Sequence, residues 1–392
     1  MRGPGKKLQY MIAGTICAVL LCTIPVYAAE REQENGEEDG IQKYVDMWTD
    51  SLDLKQIDTG MEELFPELDI DAGNMLQMIL EGRVMEALRE LCSQIWEGIQ
   101  GKLLNIRQIF LYILILGIVS ALFSGFSDLF AGQQISQAGF YFLYLFLMVL
   151  ATKAFSFVSK ITLEAVENIV LFIKMFIPTY FVAVGTAQGS ATAVYYYQLM
   201  LMTAYLVESF LKNALIPLIC SYVLLALLNG IWVEEKLSLL LDFLKKGIVM
   251  ALKISMGAVT GLSLVQAVIL PVADKLKISA LRKAVAAIPG IGGAAEGVAE
   301  LVLGAAVLIK NSMGILLLIL LMAACLTPVI QILVITLTMK LGAAVTGIVS
   351  DKRISGCVDR VGEGCFLLLR CVLTAMALFL IVIAVVAYTL SS

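Results

Sequence analysis

The chain has 392 residues, of which 60% are hydrophobic and 15% charged, with a formal net charge of −4 and no histidine. Since a soluble domain carries about 25% charged residues, this composition excludes an ordinary soluble protein and predicts an all-α, polytopic membrane protein. Without histidine, His-based acid–base catalysis, His-ligated zinc and Ser-His or Cys-His nucleophile pairs are excluded.

Residues 1–28 have the organisation of a secretory signal peptide. Three basic residues, Arg2, Lys6 and Lys7, precede a short apolar run at residues 8–21, and small residues then lie at offsets typical of cleavage after Ala28. An uncleaved anchor helix is the alternative interpretation. In either case the segment that follows is expected to be exported.

Residues 29–101 are acidic, with 19 Asp or Glu but only five Lys or Arg between Glu30 and Glu97. The first part is too polar to bury and is predicted to be a disordered linker. From Ile41 onward, apolar residues recur every three or four positions, which indicates amphipathic helices. We therefore predict a small helical extracytoplasmic region whose apolar stripes pack on each other, on the membrane surface or on a partner.

Residues 102–392 are predicted to form a multi-span membrane domain. Apolar runs long enough to cross a bilayer occupy residues 106–126, 138–158, 168–185, 248–270, 313–339 and 366–388. Residues 195–232 fit either one long tilted helix or two short ones split around Pro217. Residues 233–247 have the pattern of an amphipathic helix lying on the membrane surface.

Two clusters of basic residues, at 275–283 and 340–360, are predicted to be short cytoplasmic loops, because Lys/Arg-rich loops stay on that side. With the acidic region outside, both loops can be cytoplasmic only if residues 292–309 also cross the membrane, or dip in and return with the neighbouring segment. Glu296 and Glu300, one helical turn apart, would then lie within the membrane.

Polar residues inside or beside the apolar runs are candidates for a polar path or for helix contacts, because a bilayer penalises them. Glu208 and Lys212, four residues apart, could neutralise each other, whereas Lys174 and Lys253 are expected to reach toward the interface. A structural charge network is the alternative interpretation. The candidates are Glu296, Glu300, Lys310, Asn311, Lys174, Glu208, Lys212 and Lys253.

Small residues at four-residue spacing are candidates for close helix packing, and the Pro-Gly segment for a hinge. A phosphate-binding loop is disfavoured there because no strand precedes it and no Gly-Lys-Ser/Thr follows it. Residues 185–193 could instead form a re-entrant loop. These candidates are Pro289, Gly290, Gly293, Gly297, Gly185, Gly189, Gly257 and Gly261, and the eight cysteines are interpreted as packing residues.

Several sequence segments resemble the stage III sporulation protein AE family. They are the LIKNSMGI junction at 308–315, the NALIPL segment at 213–218, and the IPG turn at 288–290 that leads to AAVLIKN at 305–311. The resemblance extends from about residue 106 to the C-terminus, after a signal segment and an acidic exported region that also fit the family.

This resemblance implies a multi-pass protein of the mother-cell membrane that surrounds the forespore. Such proteins belong to the AA-to-AH set of stage III sporulation proteins, which assembles with a forespore-side partner into a channel-like, secretion-like complex. The complex would support transfer of small molecules and late forespore gene expression, with the AA protein as ATPase. Membrane lipid is a further expected partner, whereas no cofactor and no nucleic acid is expected.

Three functional hypotheses follow. The first is a non-enzymatic membrane subunit of that complex, and the alternative is a self-sufficient permease that uses an intramembrane Glu/Lys site. The third, an intramembrane enzyme, is disfavoured because the sequence contains no recognisable nucleophile–base pair or metal-binding constellation.

Overall fold

The computed structural model describes residues 54–66, 71–91, 93–94, 133–188, 190–231, 236–286, 292–349 and 352–389, with a few isolated positions between 111 and 119. Side chains are described for most of these residues, but not for 54–56, 133–138, 140, 177, 179–197, 200, 263–307, 310, 349, 352, 382 and 384–389. The predicted signal peptide and the predicted span at 106–126 lie outside the described residues, apart from those isolated positions.

Every regular element in the described ranges is helical. The helices are α1 (Leu54–Leu64), α2 (Ala72–Leu80), α3 (Gln133–Gln188), α4 (Ser190–Phe210), α5 (Ile216–Asn229), α6 (Ser238–Ala286), α7 (Gly292–Val349) and α8 (Lys352–Thr389), with a π-helical turn at Leu211–Leu215 and further helical residues at 84–91.

Four described helical segments are long and apolar enough to cross a membrane: Tyr141–Phe176, Leu201–Asn229, Asn311–Ile348 and Arg353–Ile381. The predicted class, an all-α polytopic membrane protein, is therefore confirmed. We compared the most apolar 18 residues of each segment. In Arg353–Ile381, 78% of these residues are buried, but in Tyr141–Phe176 only 33% are. Helix α8 therefore lies in the middle of the bundle, and α3 lies at its edge.

Two helices are much longer than a bilayer is thick. Helix α3 has 56 residues and α7 has 58, so each measures about 85 Å at 1.5 Å per residue, against about 30 Å of hydrocarbon. The predicted spans at 138–158 and 168–185 lie on this one helix. Likewise, residues 292–309 continue straight into the span that follows, so the prediction of a separate crossing or a dip that returns is wrong.

The predicted basic loops are also helical. Lys275 to Lys283 lie within α6, while Lys340 lies on α7 and Arg360 on α8. Residues 233–247 do not form a separate surface helix, because α6 begins at Ser238 and continues through the predicted span. Apolar residues at helical spacing explain the start of α8: Ile354, Cys357, Val361, Cys365 and Leu368 are all buried.

The stretch at 195–232 is a single rod with an irregular turn. Within an α-helix, the ring of Pro217 would clash with the carbonyl group four residues earlier. The chain shifts register just before it: Ile216 donates its N–H to the Leu211 carbonyl, five residues back, and Pro217 then lies in the first turn of α5. Thus the rod needs no break in the chain direction.

Two antiparallel hairpins build the bundle. In the first, Ser159 on α3 lies 3.5 Å from Cys220 on α5, and Tyr144 donates to the Leu227 carbonyl at 2.7 Å. In the second, Lys340 on α7 lies 2.5 Å from Asp359 on α8. Helix α6 packs beside α8. Four of the five described cysteines are buried in the core, in agreement with their predicted packing role.

Helices α1 and α2 pack on the bundle as well as on each other. Helix α1 lies against α3, and α2 against α7. Their residues Ile57, Met61, Leu76 and Ile79 are fully buried in the same apolar core as the long helices. Of the packing modes left open by the sequence, the described part of this region therefore uses contact between its own helices, and it adds contact with the membrane domain.

A side-chain hydrogen bond helps attach α1 to α3: Asn168 Nδ2 donates to the Leu64 carbonyl at 3.0 Å. That carbonyl ends α1 and has no partner within the helix. We expect Asn168→Ala to weaken the packing of α1 on α3 by about 1 kcal/mol. The rate of proteolysis at residues 65–71 should rise as a result. Asn213→Ala, which loses only an exposed bond to Ser209, is the control, and equal cleavage in both variants would contradict the role of Asn168.

Candidate functional site

The charged residues of the bundle form a network around Glu363 on α8. The Glu363 carboxylate accepts a hydrogen bond from the Tyr222 hydroxyl at 3.0 Å and forms an ion pair with Lys245 at 2.9 Å. These three residues come from α8, α5 and α6. The Glu363 and Lys245 side chains keep 32% and 40% exposure, so water still reaches the pair. The carboxylate thus joins three helices at one end of the bundle.

The end of α5 adds a second set of contacts at the same place. Arg360 donates to the Ala226 carbonyl at 3.0 Å, and Tyr144 donates to the Leu227 carbonyl at 2.7 Å. The last carbonyl groups of a helix lack partners within it and carry partial negative charge, so an arginine and a phenol at this position both satisfy and stabilise them. We call these groups together with Lys340 and Asp359 the Glu363 network.

Two glycines allow the helices to approach at this network. A Cβ atom built on Gly230 would collide with the Tyr144 hydroxyl and lie 2.8 Å from the Arg360 guanidinium. A Cβ atom on Gly364 would collide with Val223 and lie 3.1 Å from the Phe155 ring. Both positions therefore require the absence of a side chain.

A separate set of ion pairs joins α3 to the α4–α5 rod. Lys174 lies 3.5 Å from Glu208, and Lys212 forms an ion pair with Glu167. The expected mutual neutralisation of Glu208 and Lys212 is therefore replaced by pairing of each with α3. Lys174 is not a lone membrane lysine either. We call these two contacts the cross-helix pairs.

The structure describes the other predicted polar residues only in part. Glu296, Glu300 and Lys310 lie on α7, but their side chains lie outside the described residues. Asn311 is half-buried and Lys253 is exposed. The Glu/Lys path thus stays a prediction.

The first third of α7 extends past the hairpin. Because Lys340 contacts Asp359 and lies beside Gly362, and α8 has 38 residues, the end of α8 is level with about residue 313 of α7 if both helices are straight. The helix therefore continues about 30 Å beyond the end of α8, although Ile309 and Ser312 in the first part of this stretch are still buried. Glu296 and Glu300 lie on this projection.

The small-residue predictions also remain open. Pro289, Gly290 and Gly189 lie outside the described residues, while Gly185, Gly293 and Gly297 are helical positions. At Gly257 and Gly261, a Cβ atom would meet no heavy atom within 4 Å, so among the described residues this pair makes no close contact. Any close packing there would be to residues outside the described part of the chain or to another molecule.

Sequence reasoning missed the most connected residues, Glu363, Tyr222 and Lys245. It placed Arg360 and its neighbours in a loop, although the three- and four-residue spacing of Ile354 to Leu368 indicates a helix. It also missed Arg370, a half-buried cation on α8. Arg370 lies 4.4 Å from the Phe366 ring centroid, and among the described residues it has no ion-pair partner. Its position inside an apolar run was a signal.

Comparison with known proteins decides the family. The family model described as "Stage III sporulation protein AE" matches residues 70–389. The chain belongs to the stage III sporulation protein AE family. It is also similar to stage III sporulation protein AE of Bacillus subtilis (strain 168), with 21% identity over 377 residues that cover 91% of each chain. No solved structure matches the chain.

Membership in the AE family confirms the resemblance found in the sequence. The matched region begins just before α2 and ends at the last residue of α8, so it contains the Glu363 network and the cross-helix pairs. It also contains the projecting part of α7. The family is one of sporulation membrane proteins and not a known enzyme family, and the four candidate spans are those of a multi-pass protein.

Proposed function

We propose that this AE-family chain is a non-enzymatic membrane subunit of a sporulation channel complex that links mother cell and forespore. In this role it would support transfer of small molecules and late forespore gene expression. The observation that carries the proposal is that charged side chains of the bundle contact other helices of the same chain. In the Glu363 network and the cross-helix pairs, the described polar groups join helices to one another, as a structural subunit requires.

The partners we propose are other stage III sporulation proteins of the AA-to-AH set and a forespore-side protein. Family membership supports this, because a family named as one member of a lettered set of sporulation proteins is expected to act with the other members. The charge-bearing α3 offers a long surface for such contacts, and the helix backbone of α7 continues beyond the end of α8.

For orientation, we propose a cytoplasmic Glu363 network and an extracytoplasmic N-terminal region. Helix α1 contacts α3 at Asn168 and Met175, whereas Tyr144 marks the Glu363 network, about 36 Å away along the helix. The acidic region and the basic residues Lys340, Arg353 and Arg360 are therefore near opposite ends of the bundle. This separation supports an orientation with Lys340, Arg353 and Arg360 inside. By contrast, the second basic cluster begins at Lys275, about 45 Å along α6 from Lys245, and so lies toward the other end.

The test is purification of the tagged chain from sporulating cells of its own host. We expect sibling stage III proteins to copurify and a gene deletion to abolish late forespore gene expression. Recovery of the chain alone, together with solute transport by the pure protein in liposomes that is lost in Glu296→Gln/Glu300→Gln, would favour the permease instead. Normal late gene expression in the deletion strain would overturn the proposal.

A further inference from the structure

One side of α3 carries exposed charges in the part of the helix that follows Val149. Lys160 and Glu164 lie 3.6 Å apart, and their side chains are 74% and 56% exposed. Lys153 and Ser156 are exposed as well. Spacing of three and four residues places them all on one side of the helix. We call Lys153, Ser156, Lys160 and Glu164 the α3 charged face.

The same side continues to the cross-helix pairs through Glu167 and Lys174, with Phe157 and Leu171 as its exposed apolar residues. From Lys153 to Lys174 it covers 21 residue steps, or about 32 Å. Its part beyond Asn168 lies beside α1, which we place outside the membrane, so the charges at membrane depth are those of the α3 charged face, from Lys153 to Glu164.

The depth of this face follows from its neighbours. Phe155 lies beside Gly364, and Tyr144 on α3 and Arg360 on α8 both contact the end of α5. Helices α3 and α8 therefore run in parallel, with Phe155 level with Gly364. The apolar part of α8 that begins at Phe366 is level with the charged part of α3.

Charges at the level of an apolar membrane span are penalised when they face lipid. The α3 charged face therefore lies against water or protein. Its charges are largely balanced: Lys160 pairs with Glu164, and the adjoining Glu167 and Lys174 pair with the α4–α5 rod. Among the described residues of this face, only Lys153 is a charge without an ion-pair partner. Because these pairs are already formed within the chain, the face presents little net charge for an oppositely charged partner.

The inside of the bundle offers no comparable surface. Among the described residues, the space between α3, α7 and α8 is filled by large apolar side chains such as Phe172, Phe176, Leu320, Leu368 and Phe379, all at most 1% exposed. Protein interiors of this kind are close-packed. A hydrated path across the membrane therefore cannot pass through the described core of one chain.

We propose that the α3 charged face lines a water-filled conduit on the outside of the bundle, closed by neighbouring subunits rather than by this chain alone. The inference rests on the proposed channel function and identifies the α3 charged face as one wall of that channel. It also places the pore between chains. The solutes that it would admit are small and polar, and the mixed charge of the face selects neither sign strongly.

The experiment measures cysteine reactivity in membranes from sporulating cells that contain the assembled complex. Ser156→Cys and Lys160→Cys are compared with Met250→Cys and Ile254→Cys, which replace residues 64% and 63% exposed on the apolar side of α6. The probe is a permanently charged, membrane-impermeant thiol reagent, and the unmodified chain gives the background from its own cysteines. Labelling after denaturation shows that each variant is present.

Because the reactive thiolate requires water, we expect the α3 variants to react more than about ten-fold faster than the α6 variants. Equal, slow reaction of all four would show that lipid or protein covers the face and would overturn the inference. A high-yield disulfide between Lys160→Cys and a helix of another subunit, with no reagent labelling, would overturn it in favour of a dry contact.

The outcome is separable from that of the proposed function. If sibling proteins copurify but the α3 variants are unreactive, the proposed conduit along α3 is wrong, while the proposed role as a channel subunit is still supported. If the α3 variants react in a chain that purifies alone and is not needed for late gene expression, the hydrated face stands and the proposed function fails.

Discussion

Gly364→Ala is expected to destabilise the helical bundle by about 1–3 kcal/mol, the usual effect of overpacking a core. A methyl group at this position would overlap Val223 on α5 and press on the Phe155 ring of α3. Val223 is fully buried and branched at its Cβ atom, and Phe155 is only 4% exposed, so neither can move aside freely. The three helices must separate.

The matched control is Gly257→Ala on α6, where the new methyl group meets none of the described residues within 4 Å. Replacing an unconstrained helical glycine with alanine stabilises a helix by roughly 0.5–1 kcal/mol. Thermal unfolding of both variants in detergent should therefore move the midpoint in opposite directions. Similar midpoints would show that α3, α5 and α8 do not meet at Gly364.

Glu363→Ala is expected to have the second large effect. It leaves the Tyr222 hydroxyl and the Lys245 ammonium without their acceptor, at a place where α5, α6 and α8 meet. Loss of a partner from a half-buried charged group costs about 1–3 kcal/mol, and solvent exposure of the pair favours the lower half of that range. The measurement is denaturant unfolding of the purified chain in detergent.

Glu164→Ala provides the comparison, because it breaks the exposed pair with Lys160 on the outside of α3. Exposed pairs contribute about 0.2–1 kcal/mol, so this variant should unfold close to the parent chain. The double variant Lys245→Met/Glu363→Ala should lose less unfolding free energy than the sum of the losses in the two single variants, because both changes remove the same contact. A strictly additive result would contradict the ion pair.

The sequence predicted the class of the fold because that class depends on composition and on the length of apolar runs. It did not predict where helices end. Polar interruptions such as Lys160 and Glu164, or Lys310 and Asn311, look like boundaries between spans, yet a helix backbone satisfies its own hydrogen bonds and can continue through them. The long helices α3 and α7 were therefore divided into separate passes.

For the candidate sites, the sequence likewise identified some charged residues but not their partners. Lys174, Glu208 and Lys212 were identified because each interrupts an apolar run, but their partners lie on another helix. Pairing between distant segments, such as Lys212 with Glu167 or Lys245 with Glu363, depends on helix register in space, which residue spacing along one segment does not encode. Glu363 was overlooked for the same reason, since its helix was taken for a loop.

The length of α7 has a mechanical consequence. One end of this helix is fixed near the Glu363 network by Lys340, and the other projects about 30 Å past the end of α8. Between these two ends the helix is held by the core, since 67% of the most apolar part of Asn311–Ile348 is buried, so α7 cannot tilt as a free rod. A partner bound at the projecting end would therefore be fixed in position relative to the Glu363 network, because Lys340 of that network lies on the same buried helix.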